Sequence, residues 1–116
     1  MNKAVAGFHM LTILSSVDSD IHQQEDKVIL KYIKENFNEA INPEKELELI
    51  KSIAREDYPI HFNNSMNAFY LDSTAEQRTH FLDLAVKLVI ADHKISPTEN
   101  LFLNELFSAW EANYTL

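Results

Sequence analysis

Ser96-Pro97-Thr98-Glu99 opens a run in which every local helix signal agrees. The serine is an N-cap, the proline takes the first helical position, and the glutamate three residues after the cap completes a capping box. Beyond it Phe102, Leu103, Leu106, Phe107 and Trp110 recur at helical spacing, leaving Asn100, Asn104, Ser108 and Glu111 for solvent. Such a segment is an amphipathic helix whose apolar stripe has to be buried on a neighbour. The same pattern recurs upstream. Val28, Ile29, Tyr32, Ile33 and Phe37 mark a stripe over residues 22–37, and Leu47, Ile50, Ile53 and Ala54 mark another over 43–57. Asn42-Pro43 opens the second of these, and Pro59 is expected to close it, because the residue before a proline avoids helical geometry. Ser73-Thr74-Ala75-Glu76 has the cap-to-glutamate spacing of a further helix start.

Two stretches differ from these. Over residues 4–17 and 81–91 the apolar side chains occupy almost the whole helical circumference, as expected of helices enclosed by others, so the two are predicted to form a central pair. Residues 60–71 carry a weaker pattern, Phe62, Met66, Phe69 and Tyr70, that predicts a short helix. No alternating β pattern appears. With 116 residues, 46% of them hydrophobic, the chain has material for one core rather than two. The prediction is a single all-α domain over residues 1–116, a compact bundle of five to seven helices.

Composition excludes several functions. Gly7 is the only glycine and there is no cysteine. Glycine-rich phosphate loops and dinucleotide fingerprints are therefore absent, as are disulfides, thiolate zinc sites and cysteine nucleophiles. Eighteen Asp and Glu against ten Lys and Arg give a net charge of −8, which repels nucleic-acid phosphates and anionic membrane surfaces. Lys27, Lys31 and Lys34 form no basic patch, since Glu25, Asp26 and Glu35 dilute them. The segment 3–17, one cation followed by an apolar stretch, has the outline of a signal peptide, but His9, Thr12, Ser15 and Ser16 interrupt it and no convincing small-x-small cleavage site follows. The run 81–91 is interrupted by Asp83 and Lys87 and is far shorter than the ~20 residues that span a bilayer. A cytoplasmic location without membrane or nucleic-acid partners is the expectation.

Sliding the chain on itself by 74 residues lays Asp18, Ile21 and Glu25 on Asp92, Ile95 and Glu99. Leu14 falls on Leu88, while Val28, Ile29, Tyr32 and Ile33 fall on Phe102, Leu103, Leu106 and Phe107. Each copy reads as an enclosed helix, an acidic turn and an amphipathic helix, the first over about 4–37 and the second over about 75–113. The bundle is thus expected to be built from two related helical hairpins.

A mostly apolar helix ending in Asp, with Ile three and Glu seven places on, occurring twice in a small acidic helical chain, resembles the TerB-like tellurite-resistance family. The resemblance runs over residues 5–110. It implies an all-α fold of two related halves, an acidic surface cluster that binds divalent metal, a setting in tellurite or stress response, and no catalytic residue. Carried over by position, the metal-linked residues are Asp18 and Glu25 in the first copy and Asp92 and Glu99 in the second. Members usually carry Gly directly after each motif Asp, where this chain has Ser19 and His93. A left-handed turn there would cost Ser and His a penalty that Gly avoids.

The motif acids differ in what they need. Glu99 has a sufficient role in its capping box, and Glu25 holds the equivalent place after His22. Asp18 and Asp92 each come after an apolar helix, at the negative end of its dipole, where a carboxylate is disfavoured unless something compensates. Two arrangements meet that need: a side-chain tie to the first amides of the next helix, or a bound cation with carboxylate and carbonyl oxygens as hard ligands. Asp18 and Asp20 concentrate oxygens in the first turn, whereas Lys94 stands opposite Asp20 in the second, so a weakly held Ca, Mg or Mn ion is expected around Asp18 and Asp20 if either turn takes one. The turn is no EF-hand. Counted from Asp18, Gln23 stands where Gly is needed and Ile29 where Glu is needed.

The remaining constellations are weaker. His9, His22, His61, His80 and His93 lack the paired spacing of zinc or di-iron sites and read as scattered surface histidines. Glu76 with His80, or His80 with Asp83, makes an acid–base pair on a helix without a nucleophile or oxyanion loop beside it, so no enzyme is expected. Phe102, Phe107, Trp110 and Tyr114 are expected in the core rather than in a partner groove. Two readings remain: a non-enzymatic domain binding a divalent cation, and a metal-free protein-interaction module in which Asp18 and Asp92 are structural.

Overall fold

The computed structural model describes residues 1–16, 23–38, 40–90 and 96–110, and of residues 23–26 the backbone alone. Among them lie six helices and no strand: α1 Lys3–Ser16, α2 Gln23–Asn36, α3 Pro43–Lys51, α4 Tyr58–Asp72, α5 Ala75–Ile90 and α6 Pro97–Ala109, with a single 3-10 turn, Arg55–Asp57, ahead of α4. The all-α expectation holds.

α1 is enclosed, as its apolar circumference requires. Ala4, Ala6, Phe8, Met10, Leu11, Ile13 and Leu14 are all fully buried, and α2, α3, α4 and α5 pack around them. Its N-terminus is tied down twice. The Val5 amide donates to Asn2 Oδ1 at 2.9 Å, and the Lys3 amide to Asp72 Oδ2 at 3.0 Å, so a carboxylate at the far end of α4 faces the positive end of α1.

The partner most extensively packed on α1 is α4, not α5. This corrects the expected central pair. α5 buries one face, Phe81, Leu82, Ala85 and Val89, while Lys87 and Asp83 pair at 2.8 Å on its outer face and Ile90 is exposed. Its remaining apolar residues, Leu84, Val86 and Leu88, are only partly buried against the core. α4 is longer than the weak pattern over 60–71 predicts. Tyr58, Phe62, Met66 and Phe69 form one buried stripe along it, separated in sequence by the exposed Asn63, Asn64 and Asn67. Those asparagines are poor helix formers, and they obscure a regular spacing of four, four and three.

Three boundaries also move. The helix expected over 43–57 stops at Lys51, because Ser52 turns its hydroxyl back to the Leu49 carbonyl at 2.6 Å and Ala54 goes extended. Pro59 therefore opens α4 from its first turn instead of closing α3. The α5 cap lies one residue later than Ser73. Thr74 and Gln77 form the reciprocal pair, with the Gln77 amide donating to Thr74 Oγ1 at 3.1 Å and the Thr74 amide to Gln77 Oε1 at 2.9 Å. Ser73 instead ends α4, where Arg78 donates to the Ser73 carbonyl at 2.7 Å and lies 4.2 Å over the Tyr70 ring. On α2, Val28 leaves the predicted stripe and is 53% exposed, whereas Ile29, Tyr32 and Ile33 are buried. α2 packs chiefly on α1, and a single neighbour covers only a narrow stripe.

Elsewhere local chemistry acts as its spacing predicts. Asn42 caps α3 by accepting from the Lys45 amide at 3.2 Å. Phe102, Leu103, Leu106, Phe107 and Trp110 are all buried on α6 and at its end. Ser96→Ala is expected to cost about 1 kcal/mol, since it strands the Glu99 amide that now donates to Ser96 Oγ at 3.1 Å. Urea unfolding checks this, and a loss below a few tenths would show the cap to be dispensable.

Candidate functional site

The acidic positions fall at helix boundaries. Asp18 and Asp20 lie between the last residue of α1, Ser16, and the first of α2, Gln23; Asp92 lies between Ile90 and Pro97. All three are outside the described residues, and so are His22 and His93. Glu25 belongs to the first turn of α2, its side chain likewise outside the description. Glu99 is fully placed. It is buried at 4% exposure, and its Oε1 accepts from the Ser96 amide at 2.9 Å, closing the capping box that the sequence predicts.

The described residues contain a titratable cluster that the spacing of single residues conceals. His9 of α1 is 3% exposed and uses both ring nitrogens. Its Nε2 meets Glu46 Oε1 of α3 at 2.8 Å, and its Nδ1 meets His61 Nε2 of α4 at 2.7 Å. Glu46 is itself 9% exposed, on the inner side of α3. Burial, and next the charge on His9, push the His61 imidazole below the ordinary histidine range. The expectation of scattered surface histidines fails here, because α1 has no outer face on which to place His9. The signal available in sequence was His9 itself, a polar ring in the middle of an otherwise apolar helix, which demands buried partners.

Geometry decides what this cluster does. His9 stands in the middle, so the three side chains form a line and do not converge on a point. Among the described residues no group of three His, Asp or Glu side chains is arranged to hold a metal ion. The helical acid–base pairs also dissolve. Asp83 pairs with Lys87, Glu76 is exposed, and His80 turns to Tyr32, its Nδ1 at 3.5 Å from the phenol and the rings stacked at 5.7 Å. Burial pushes the Tyr32 hydroxyl up to about 12, so it stays protonated. An open groove of about 630 Å³ runs between α4 and α6, with Pro59, Ile60 and Met66 on one wall and Asn104, Glu105 and Ser108 on the other.

This architecture, six helices around an enclosed α1, can be compared with known families. The family model described as tellurite resistance protein TerB matches residues 4–111. The chain belongs to the TerB family. The matched span takes in all six helices, from the first turn of α1 to just beyond Trp110. No curated protein matches the chain, and no solved structure does. Within this TerB domain no described helix is long and apolar enough to cross a membrane.

Proposed function

We propose that this chain is a non-enzymatic, cytoplasmic TerB domain that binds one divalent cation, Ca, Mg or Mn, at the acidic connection between α1 and α2. Asp18 and Asp20 are the principal ligands, Asp92 and Glu25 are contributors, and the setting is the stress or tellurite response from which the family takes its name. The observation that carries the reading is the family match across nearly the whole chain. The donor set agrees with it, since carboxylate oxygens suit these hard cations better than softer metals. Glu99 is the least available of the motif acids, because its Oε1 already accepts from the Ser96 amide.

The second reading, a metal-free module that docks a protein partner, draws on a different observation. Ile60 and Leu71 on α4 and Leu101 on α6 are 66%, 86% and 64% exposed. Single exposed apolar residues are common, so this reading ranks behind the first.

Melting of metal-stripped protein against each cation separates the two. A cation bound only by the folded state at ten times its Kd adds about 1.4 kcal/mol, which raises the Tm by about 5 °C. The rise is expected to vanish in Asp18→Asn and Asp20→Asn and to shrink in Asp92→Asn. No shift through millimolar metal, or an equal shift in those variants, overturns cation binding and leaves the docking reading.

A further inference from the structure

The line Glu46–His9–His61 joins three helices through ring nitrogens, and its proton count is constrained. With Glu46 accepting as a carboxylate, His9 donates from Nε2 at 2.8 Å. Neutral His9 then presents a lone pair on Nδ1, and His61 donates into it from Nε2 at 2.7 Å. One added proton is accommodated with both bonds intact: on His9 Nδ1, beside the Glu46 carboxylate, it donates to His61 Nε2, whose own proton then lies on Nδ1. A second has nowhere to go but His61 Nε2. It would set one N–H against another at 2.7 Å, between two cationic rings, one of which is almost wholly buried.

No other described group relieves that conflict. From α1 the group facing His61 is His9, and from α3 Glu46 reaches the pair only through the other nitrogen of His9. Lys3 of α1 pairs with Asp72 at the opposite end of α4. Glu44, Lys45, Glu48 and Lys51 on α3, Arg55, Glu56 and Asp57 in the 3-10 turn, and Glu105 on α6 are all exposed. Glu99 of α6 is engaged with Ser96.

We propose that the His9–His61 contact is an acid-released latch, which pins the 3-10 turn and first turn of α4 onto α1 and lets go when both imidazoles are charged. Release acts locally. Glu46 still holds charged His9 to α3, and Phe62, Met66 and Phe69 still hold the rest of α4, so the segment that loosens is 55–61, where Tyr58 is the one other buried anchor. Pro59 and Ile60 within it form a wall of the α4–α6 groove, whose shape therefore depends on the protonation of a residue on the other side of the helix. Because the His61 value is depressed on folding, the latch contributes fully above the ordinary histidine value of about 6.5 and is lost as the pH falls through the lowered value.

His61→Gln tests this in the full chain, with a chelator present to exclude metal effects. The glutamine amide occupies the place of Nε2, donates to neutral His9, accepts from charged His9 after an amide flip, and does not titrate. Between about pH 8 and about pH 5 the wild-type Tm is expected to fall more than that of the variant. Amide exchange at 55–61, corrected for its intrinsic pH dependence, should rise about tenfold more in acid than exchange in α6. A Tm difference that stays constant with pH, or opening of 55–61 only in step with α6, overturns the latch. Ring-nitrogen NMR of the unmodified chain gives the same decision should the variant fail to fold. His61 is expected as the Nε2–H tautomer near neutrality, charging below the ordinary range, whereas two histidines charging independently at ordinary values refute the proposal.

Discussion

Phe69→Ala is expected to remove about 3–5 kcal/mol of stability, a large share of the about 5–15 kcal/mol that holds a domain of this size together. Phe69 is fully buried, and four elements meet on its ring. The Phe81 ring of α5 lies at 4.7 Å, the Trp110 ring at the end of α6 at 5.2 Å, and the Phe37 ring just past α2 at 5.8 Å. On its remaining side the ring edge approaches Gly7 of α1. Truncation to the β-carbon leaves a cavity bordered by helices that are themselves held by the same junction, so collapse to fill it is costly. Urea unfolding should show a lower midpoint with an unchanged slope, and the Tm should drop by about 15 °C. A loss under about 1 kcal/mol would show that the junction is not the centre of the core.

Gly7→Val is expected to cost about 3 kcal/mol through the opposite defect, overpacking. A β-carbon at Gly7 would stand 3.2 Å from Ile33 Cδ1, 3.2 Å from Phe81 Cε2 and 3.4 Å from Phe69 Cε2. The isoleucine methyl can swing aside, but the two rings are held against each other and against Trp110. Valine adds two more carbons into that space. Gly7→Ala sets a gain of about 1 kcal/mol in helix propensity against a single tight methyl, and is expected to fall within about 1 kcal/mol of the parent. Calorimetry of the pair measures the difference. Equal stability of the alanine and valine variants would mean that α1 shifts to make room.

Both variants probe the same fact, that α1 is approached closely from several sides at once. The enclosure of α1 was legible in its sequence, because no rotation of residues 4–17 gives it a polar face. By the same reasoning α5 would be enclosed too, and it is not. An apolar circumference states that a helix is able to be buried all round, and which helix is buried depends on how many neighbours reach it. α4 reached α1 by a stripe that three intervening asparagines disguised. Caps were more legible than boundaries. Ser96 and Asn42 act at the positions their spacing predicts, whereas Thr74 displaced Ser73 by one residue, since both have a hydroxyl and a partner three places on. A cap needs only two residues at a fixed spacing, but a helix end competes with the segment after it, and Pro59 supports either an ending or a beginning.

The candidate sites divide along the same line. The acidic connections are sequence features, visible as Asp18, Asp20 and Asp92 between helix-forming segments, and the family they suggested is the family to which the chain belongs. The Glu46–His9–His61 line had no linear signature, because Glu46 and His61 lie 37 and 52 residues from His9 and the three come from different helices.

What the sequence by itself determined was the class of the fold, the position of most helices, the burial of α1 and the family, all of which rest on short-range chemistry: apolar spacing, caps and the near absence of glycine. Only the tertiary structure decided which helix lies beside α1, why the lone glycine stands where it does, and which histidines meet ring to ring. Those depend on contacts between residues far apart in the chain, and a spacing rule carries no information about a distance that folding alone creates.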